Sequence, residues 1–239
     1  MKFFMDHHQS WYDFLPSYPG DSAHHIAAAL IVLLMLGILS LVSYRRLQNI
    51  EACLIPSPKF SLTNFFEVAI ESCMNLMRDI IGPDYKRHVP LIGTLMLFIL
   101  FSNLLGLIPG FKPPTDSLNT TLACGLVVFV YFNIQGLRVH GIGHITHLAN
   151  PIGEWWGWFL APLFFPIELI SMTVRPFSLG IRLAGNMIGD HKVLFAFASI
   201  MPFLLPLPFF ALGLLVALIQ TAVFCILSCV YISLHTHKI

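Results

Sequence analysis

The chain has 239 residues, of which 56% are hydrophobic and 10% charged, with a formal net charge of +1. Soluble domains carry roughly 25% charged residues, so the composition excludes an ordinary globular domain and indicates a polytopic membrane protein. The near-zero charge gives no reason to expect nucleic acid as a partner. The five cysteines, with no C-x-x-C pair among them, offer neither a disulfide framework nor a zinc site.

Residues 1–25 are polar and aromatic, with Trp11, Tyr12 and Tyr18, and lack the basic start and small-residue cleavage site of a signal peptide. They read as a short interfacial extension, and residues 26–239 as a single membrane domain. A span needs about 20 apolar residues. The first candidate covers residues 26–43 and stops at Tyr44, Arg45 and Arg46. Between residues 65 and 81, Glu67, Glu71, Arg78 and Asp79 alternate with Phe66, Val68, Ile70, Leu76 and Met77. That pattern predicts an amphipathic helix lying at the membrane surface. A second span is expected over 91–109, a Gly/Pro/Asp turn over 110–117, and a third span over about 118–137.

Residues 138–150 read as a loop. Its His140, His144 and His147 would suit a metal only on a regular helix, and Gly141 and Gly143 argue against one. No metal or cofactor is expected. The apolar tract at 155–200 is about 46 residues, or about 69 Å if helical. A bilayer core is about 30 Å thick, so the tract must be strongly tilted, broken or made of two pieces. Trp155 and Trp156 mark an interface. A turn containing Pro202, Pro206 and Pro208 follows at 201–208, then a last span at about 209–234. The expected fold is an all-α polytopic membrane protein. It has about five crossings and an amphipathic surface helix, and its two long, tilted C-terminal helices form an antiparallel hairpin.

Arg45, Arg46, Lys59, Arg78, Lys86 and Arg87 follow the first span, whereas the first 25 residues carry only Lys2 as a Lys or Arg. The positive-inside rule then puts the N-terminal extension outside. Five crossings leave the C-terminus, with His235, His237 and Lys238, on the cytoplasmic side.

Within the long tract, Glu168, Arg175 and Arg182 recur every seven residues, so they share one helix face with a drift of about 20° per step. Ser171, Ser178 and Asn186 lie three or four positions from these and join them. A charge at membrane depth costs about 3 kcal/mol on insertion scales, and arginine cannot escape that cost by losing its proton. Such residues usually serve an ion pathway, so Arg182 is where function is to be sought. The competing possibility is packing of the stripe within the chain, which Gly180, Gly185 and Gly189 would suit. Gln220 follows the turn by as many residues as Arg182 precedes it, so a hairpin places the two at similar depth. A lone glutamine in a span also serves as interhelical glue. Asn103, Asn119 and Asn133 are the other amides within spans.

The stretch Ser178-Leu179-Gly180-Ile181-Arg182-Leu183-Ala184-Gly185-Asn186-Met187 closely resembles the a-subunit family of F-type ATP synthases. Residues 98–110 (FILFSNLLGLIPG) and the final span with Gln220 and Tyr231 support the resemblance, which covers nearly the whole chain from the first span onward. It implies a non-catalytic, ion-translocating stator subunit, most simply for protons, that stands beside a rotating ring of c subunits. Two offset half-channels would reach that ring from opposite sides. The implied partners are the c ring, b-type peripheral stalk subunits, the rest of the synthase and membrane lipid. The implied location is a bacterial inner membrane, ahead of a mitochondrial one.

By resemblance, Arg182 faces the ring carboxylates, Gln220 is the last-helix glutamine near it, and Glu168 lies toward the inner half-channel. His191 stands where an acidic residue often occurs toward the outer half-channel, with Asp190 just before it. Gly213 replaces a titratable residue that some members carry. On a helical wheel His191 points about 180° from Arg182 and Asp190 about 80°, so His191 is the expected entry relay and Asp190 its orienting neighbour. Water beside Asn103 and Asn119 would lead to it. The alternative function is a stand-alone ion channel or secondary transporter. Against it stand the absence of an internal repeat and a polar stripe confined to one helix.

Overall fold

The computed structural model describes residues 24–47, 62–108, 111–141, 157–200 and 206–236. Regular structure among them is six α-helices and two short 3-10 turns, with no strand. The first helix, α1 (His24–Leu47), is apolar along its length. Among its described side chains only Ala28 and Val32 are deeply buried, while Leu30, Leu33, Leu34, Ile38 and Leu41 are more than half exposed. Such a helix is stable where those side chains meet lipid. His24 and His25, expected in the extension, form its first turn.

The amphipathic segment forms α2 (Leu62–Ile81). Its Cys73, Met77 and Ile81, spaced four apart, are buried, while Glu67, Glu71, Arg78 and Asp79 are exposed. The apolar stripe rests on the last helix of the same chain, where Ser233 Oγ donates to the Ile80 carbonyl at 3.1 Å. Gly82, at φ 84°, reverses the backbone, a conformation that glycine adopts without strain. A 3-10 turn (Pro83–Arg87) and His88 then lead into α3 (Val89–Gly106). His88 is 1% exposed, and its Nδ1 lies 3.0 Å from the Tyr131 hydroxyl. Burial, aided by the Arg87 charge, pushes its pKa below the usual histidine value.

A second 3-10 turn (Pro114–Asp116) precedes α4 (Leu118–His140). The helix continues through Arg138 and Val139 to His140 and stops at Gly141, φ 57°. The loop expected from residue 138 therefore begins three residues later. His144, His147, Trp155 and Trp156 lie outside the described residues.

The long tract resolves the choice left by its length. It is a single helix, α5 (Gly157–Ile200), of 44 residues, with Pro162, Pro166 and Pro176 inside it. At 1.5 Å per residue it is about 66 Å long, so it must lean strongly to stay within a bilayer. The last helix, α6 (Pro206–Thr236), has 31 residues. It runs antiparallel to α5, with Phe197 stacked on Phe209 at 4.3 Å. Five of the helices are long and apolar enough to cross a membrane, α2 being the exception.

The core lies where α2, α3, α4 and the second half of α6 meet. Met77, Ile92, Ile99, Val128, Phe132 and Ile232 are all essentially inaccessible. Cys225 and Cys229 are buried packing residues there. Against this block α5 is seated by two glycines. A Cβ on Gly125 of α4 would stand 2.6 Å from the Pro176 carbonyl oxygen, and one on Gly180 would stand 3.0 Å from the Leu122 Cα. Lipid removes the hydrophobic incentive for helices to associate, so close backbone approach through small residues replaces it.

Candidate functional site

The face of α5 turned away from α4 carries the part of the stripe around Arg182. Met172, Pro176, Leu179, Leu183 and Met187 are the buried side of the helix. Ser178, Arg182, Gly185, Asn186 and Gly189 are on its exposed side. A Cβ added to Gly185 or Gly189 would meet no heavy atom within 4 Å, unlike one added to Gly180. Of the three glycines suited to packing within the chain, only Gly180 packs so. The open face is small and polar around one guanidinium.

The two arginines differ in circumstance. Arg175 is held inside the chain. Its Nη2 lies 3.8 Å from Glu168 Oε1, and its side chain is 25% exposed. Its Cζ lies 5.7 Å from the centroid of the Tyr231 ring, within cation–π range. Arg182 has neither an ion pair nor a side-chain hydrogen bond among the described residues. An unpaired cation on a lipid-depth face is costly, and a partner carrying the opposite charge relieves that cost.

Gln220 is 7% exposed. Its Nε2 donates to the Arg182 backbone carbonyl at 3.2 Å. The hairpin register brings the two residues to one depth, yet Gln220 grips the backbone of α5 while the guanidinium points outward. The contact between them therefore runs from the Gln220 side chain to the Arg182 backbone. The reason is rotational: α6 packs on a side of α5 that excludes the Arg182 side chain. Two turns earlier on α6, Gly213 lies against Leu107, whose Cδ2 would be 2.9 Å from an added Cβ.

His191 turns away from Arg182, toward the end of α3. A Cβ on Gly106 would stand 2.8 Å from its Nε2, with Met187 and Pro113 closing the other sides. Asp116 and Asp190 both act on the ring electrostatically. Beside this corner Asn103 is 1% exposed, and its Oδ1 accepts from Thr115 Oγ1 at 2.9 Å. Asn103 Nδ2 and Ser102 Oγ are buried without a hydrogen-bond partner among the described residues. Asn119 stands exposed at the start of α4 and is not buried with this group. Asn133 donates to the Phe129 carbonyl of its own helix at 2.8 Å.

Asp116, Thr115 and Tyr231 are members of these clusters that the sequence did not single out as site residues. Asp116 and Thr115 sit in a proline-bounded turn, where no periodicity signals which way a side chain points. The only signal was a carboxylate in a turn between two spans.

Residues 25–233 match the family model described as ATP synthase A chain. ATP synthase subunit a of Sorangium cellulosum is 46% identical over 196 residues, covering 82% of this chain and 74% of that protein. ATP synthase subunit a of Bdellovibrio bacteriovorus is 38% identical over 225 residues, covering 94% and 96%. That of Geobacter sulfurreducens is 42% identical over 210 residues, covering 88% and 86%.

Proposed function

This chain belongs to the ATP synthase A chain family, and from that premise we propose that it is the proton-translocating stator subunit of an F-type ATP synthase. It passes protons between the two sides of the membrane and the carboxyls of a rotating c ring. It does no bond-making chemistry of its own. The observation that carries this reading is Arg182, unpaired among the described residues and set on an open face beside Ser178, Gly185, Asn186 and Gly189.

A ring carboxyl crossing lipid must be neutral. Beside Arg182 its ionised form is favoured by Coulomb attraction, so it releases its proton there. The same fixed cation repels a passing hydronium and keeps the two half-channels separate. Gln220 supports the reading as a brace, since it fixes the stretch of α5 from which Arg182 projects. Glu168, with Arg175 and Tyr231, belongs to the inner route. His191, with Asp190 and Asn103, belongs to the outer one, and the unpartnered Asn103 amide and Ser102 hydroxyl support a polar passage there. The b-type stalk is the other neighbour of this reading. The chain sits in a bacterial inner membrane with its N-terminus outside and its C-terminus in the cytoplasm.

The experiment that tests this is proton flux into liposomes. The purified chain alone is expected to conduct nothing above empty vesicles, whereas the complex with its ring conducts. Rapid flux through the chain alone would establish a stand-alone channel or transporter instead.

His191 and Asp190 separate under a second measurement. His191 is turned inward to Gly106, within the electrostatic influence of Asp116, and imidazole exchanges protons near neutral pH. His191→Ala is therefore expected to lower proton-driven ATP synthesis and alter its pH profile between about pH 5.5 and 8. Asp190→Asn is expected to do less. If the histidine variant keeps the wild-type rate and profile while the aspartate variant loses both, the assigned roles are reversed.

A further inference from the structure

We propose a binding site for the headgroup phosphate of an anionic phospholipid at the junction of α2 and α3, remote from the stripe of α5. A surface pocket of about 620 Å³ is lined there by Arg78, Gly82, Pro83, Tyr85 and Lys86. The local fold builds it. The Gly82 amide closes α2 by donating to the Arg78 carbonyl at 3.1 Å, and the Tyr85 amide donates back to the Gly82 carbonyl at 3.3 Å. With φ 84° at Gly82, the 3-10 turn folds beside the last turn of α2. Arg78 and Lys86, eight residues apart in sequence, thus border one hollow.

The chemistry of the hollow points to phosphate. Arg78 and Lys86 are both exposed, and neither side chain is engaged in an ion pair or hydrogen bond among the described residues. Arginine offers a planar fork that fits two phosphate oxygens, and lysine adds a point charge. Tyr85, half-buried on the wall, adds a hydroxyl. Asp79 and Asp84 flank the pocket in sequence but do not line it.

Position decides the source. The pocket ends three residues before the membrane-crossing stretch Val89–Gly106 begins. It also caps an amphipathic helix whose Val68 and Ile70 remain exposed. It therefore lies at headgroup level, where basic pockets beside membrane helices capture anionic lipid.

The test uses the whole complex containing this chain, in nanodiscs of phosphatidylcholine with graded phosphatidylglycerol. Bound lipid is counted by native mass spectrometry. Each basic group near an anionic headgroup layer contributes about fivefold in affinity, so Arg78→Gln with Lys86→Gln is expected to weaken phosphatidylglycerol retention about 25-fold. The charge-preserving pair Arg78→Lys with Lys86→Arg should keep most of it, which separates a lost site from a misfolded junction. Millimolar inorganic phosphate should not displace the lipid. Equal retention by wild type and the glutamine variant would overturn the proposal. So would complete displacement by inorganic phosphate, which would mark a soluble-anion site, or loss in the charge-preserving variant as deep as in the glutamine one.

Discussion

Arg182→Ala is expected to abolish proton-driven ATP synthesis while the subunit still inserts and assembles. The guanidinium has no partner among the described residues and lies on the exposed side of α5. Its removal leaves no cavity and strands no buried charge inside the chain, and the brace from Gln220 survives because it grips the backbone carbonyl. What disappears is the field that ionises a passing carboxyl. Two unit charges about 4 Å apart attract by about 4 kcal/mol near a protein surface. A barrier raised by that amount slows the step on the order of a thousandfold.

Arg182→Lys should also fail, because a buried ammonium sheds its proton when it is most needed, whereas guanidinium does not. Arg175→Ala should be milder. Its charge is already balanced by Glu168 and the Tyr231 ring, so its loss loosens the inner route without removing the ring-facing cation. Synthesis by inverted vesicles under an imposed gradient, normalised to the assembled complex, measures all three. Near-normal synthesis by Arg182→Ala would remove the reading of this face.

The spans were legible because lipid selects for long apolar runs, and the hairpin because Arg182 and Gln220 flank one turn at equal distance. Depth follows from counting. Rotation does not: the relation of Gln220 to the Arg182 carbonyl depends on how α6 rolls against α5, and that is set by α4 and the core. Continuity of α5 through Pro176 was undecidable for a similar reason. A proline removes one backbone bond in any sequence, and only the surroundings decide whether the helix continues past it. The turn carboxylate that acts electrostatically on His191 was hidden differently. Asp116 lies in a 3-10 turn, so neither a period of two nor of 3.6 assigns it a face. Glu168 and Arg175 were legible as neighbours because two helical turns separate them, yet Tyr231, their aromatic partner, comes from another helix.

The glycines were the least legible feature, and they give the second large effect. In sequence Gly125, Gly180, Gly185 and Gly189 look alike. In the fold the first two are contact points and the last two are open. Gly125→Ala must push its methyl group against the Pro176 carbonyl oxygen, 2.6 Å away. That neighbour is backbone, so relief requires α4 and α5 to separate along their contact. Overpacking of this kind costs about 1–3 kcal/mol, and in lipid no water-driven term offsets it. The expected result is a severalfold drop in the amount of the chain recovered in assembled complex, read by quantitative blotting, with Gly180→Ala close behind. Gly185→Ala and Gly189→Ala should leave that amount unchanged, since no described atom lies within 4 Å of the new carbon. Gly185→Leu separates the chain's own needs from those of its partner. The chain still folds and is recovered, but the added bulk stands between Arg182 and whatever docks on its face. A ring against that face predicts at least a tenfold loss of proton-driven synthesis at normal subunit levels, each tenfold corresponding to about 1.4 kcal/mol. Unchanged synthesis by Gly185→Leu would mean that lipid, rather than the ring, covers the stripe. Normal recovery of Gly125→Ala would mean that α4 and α5 are not held by close backbone contact.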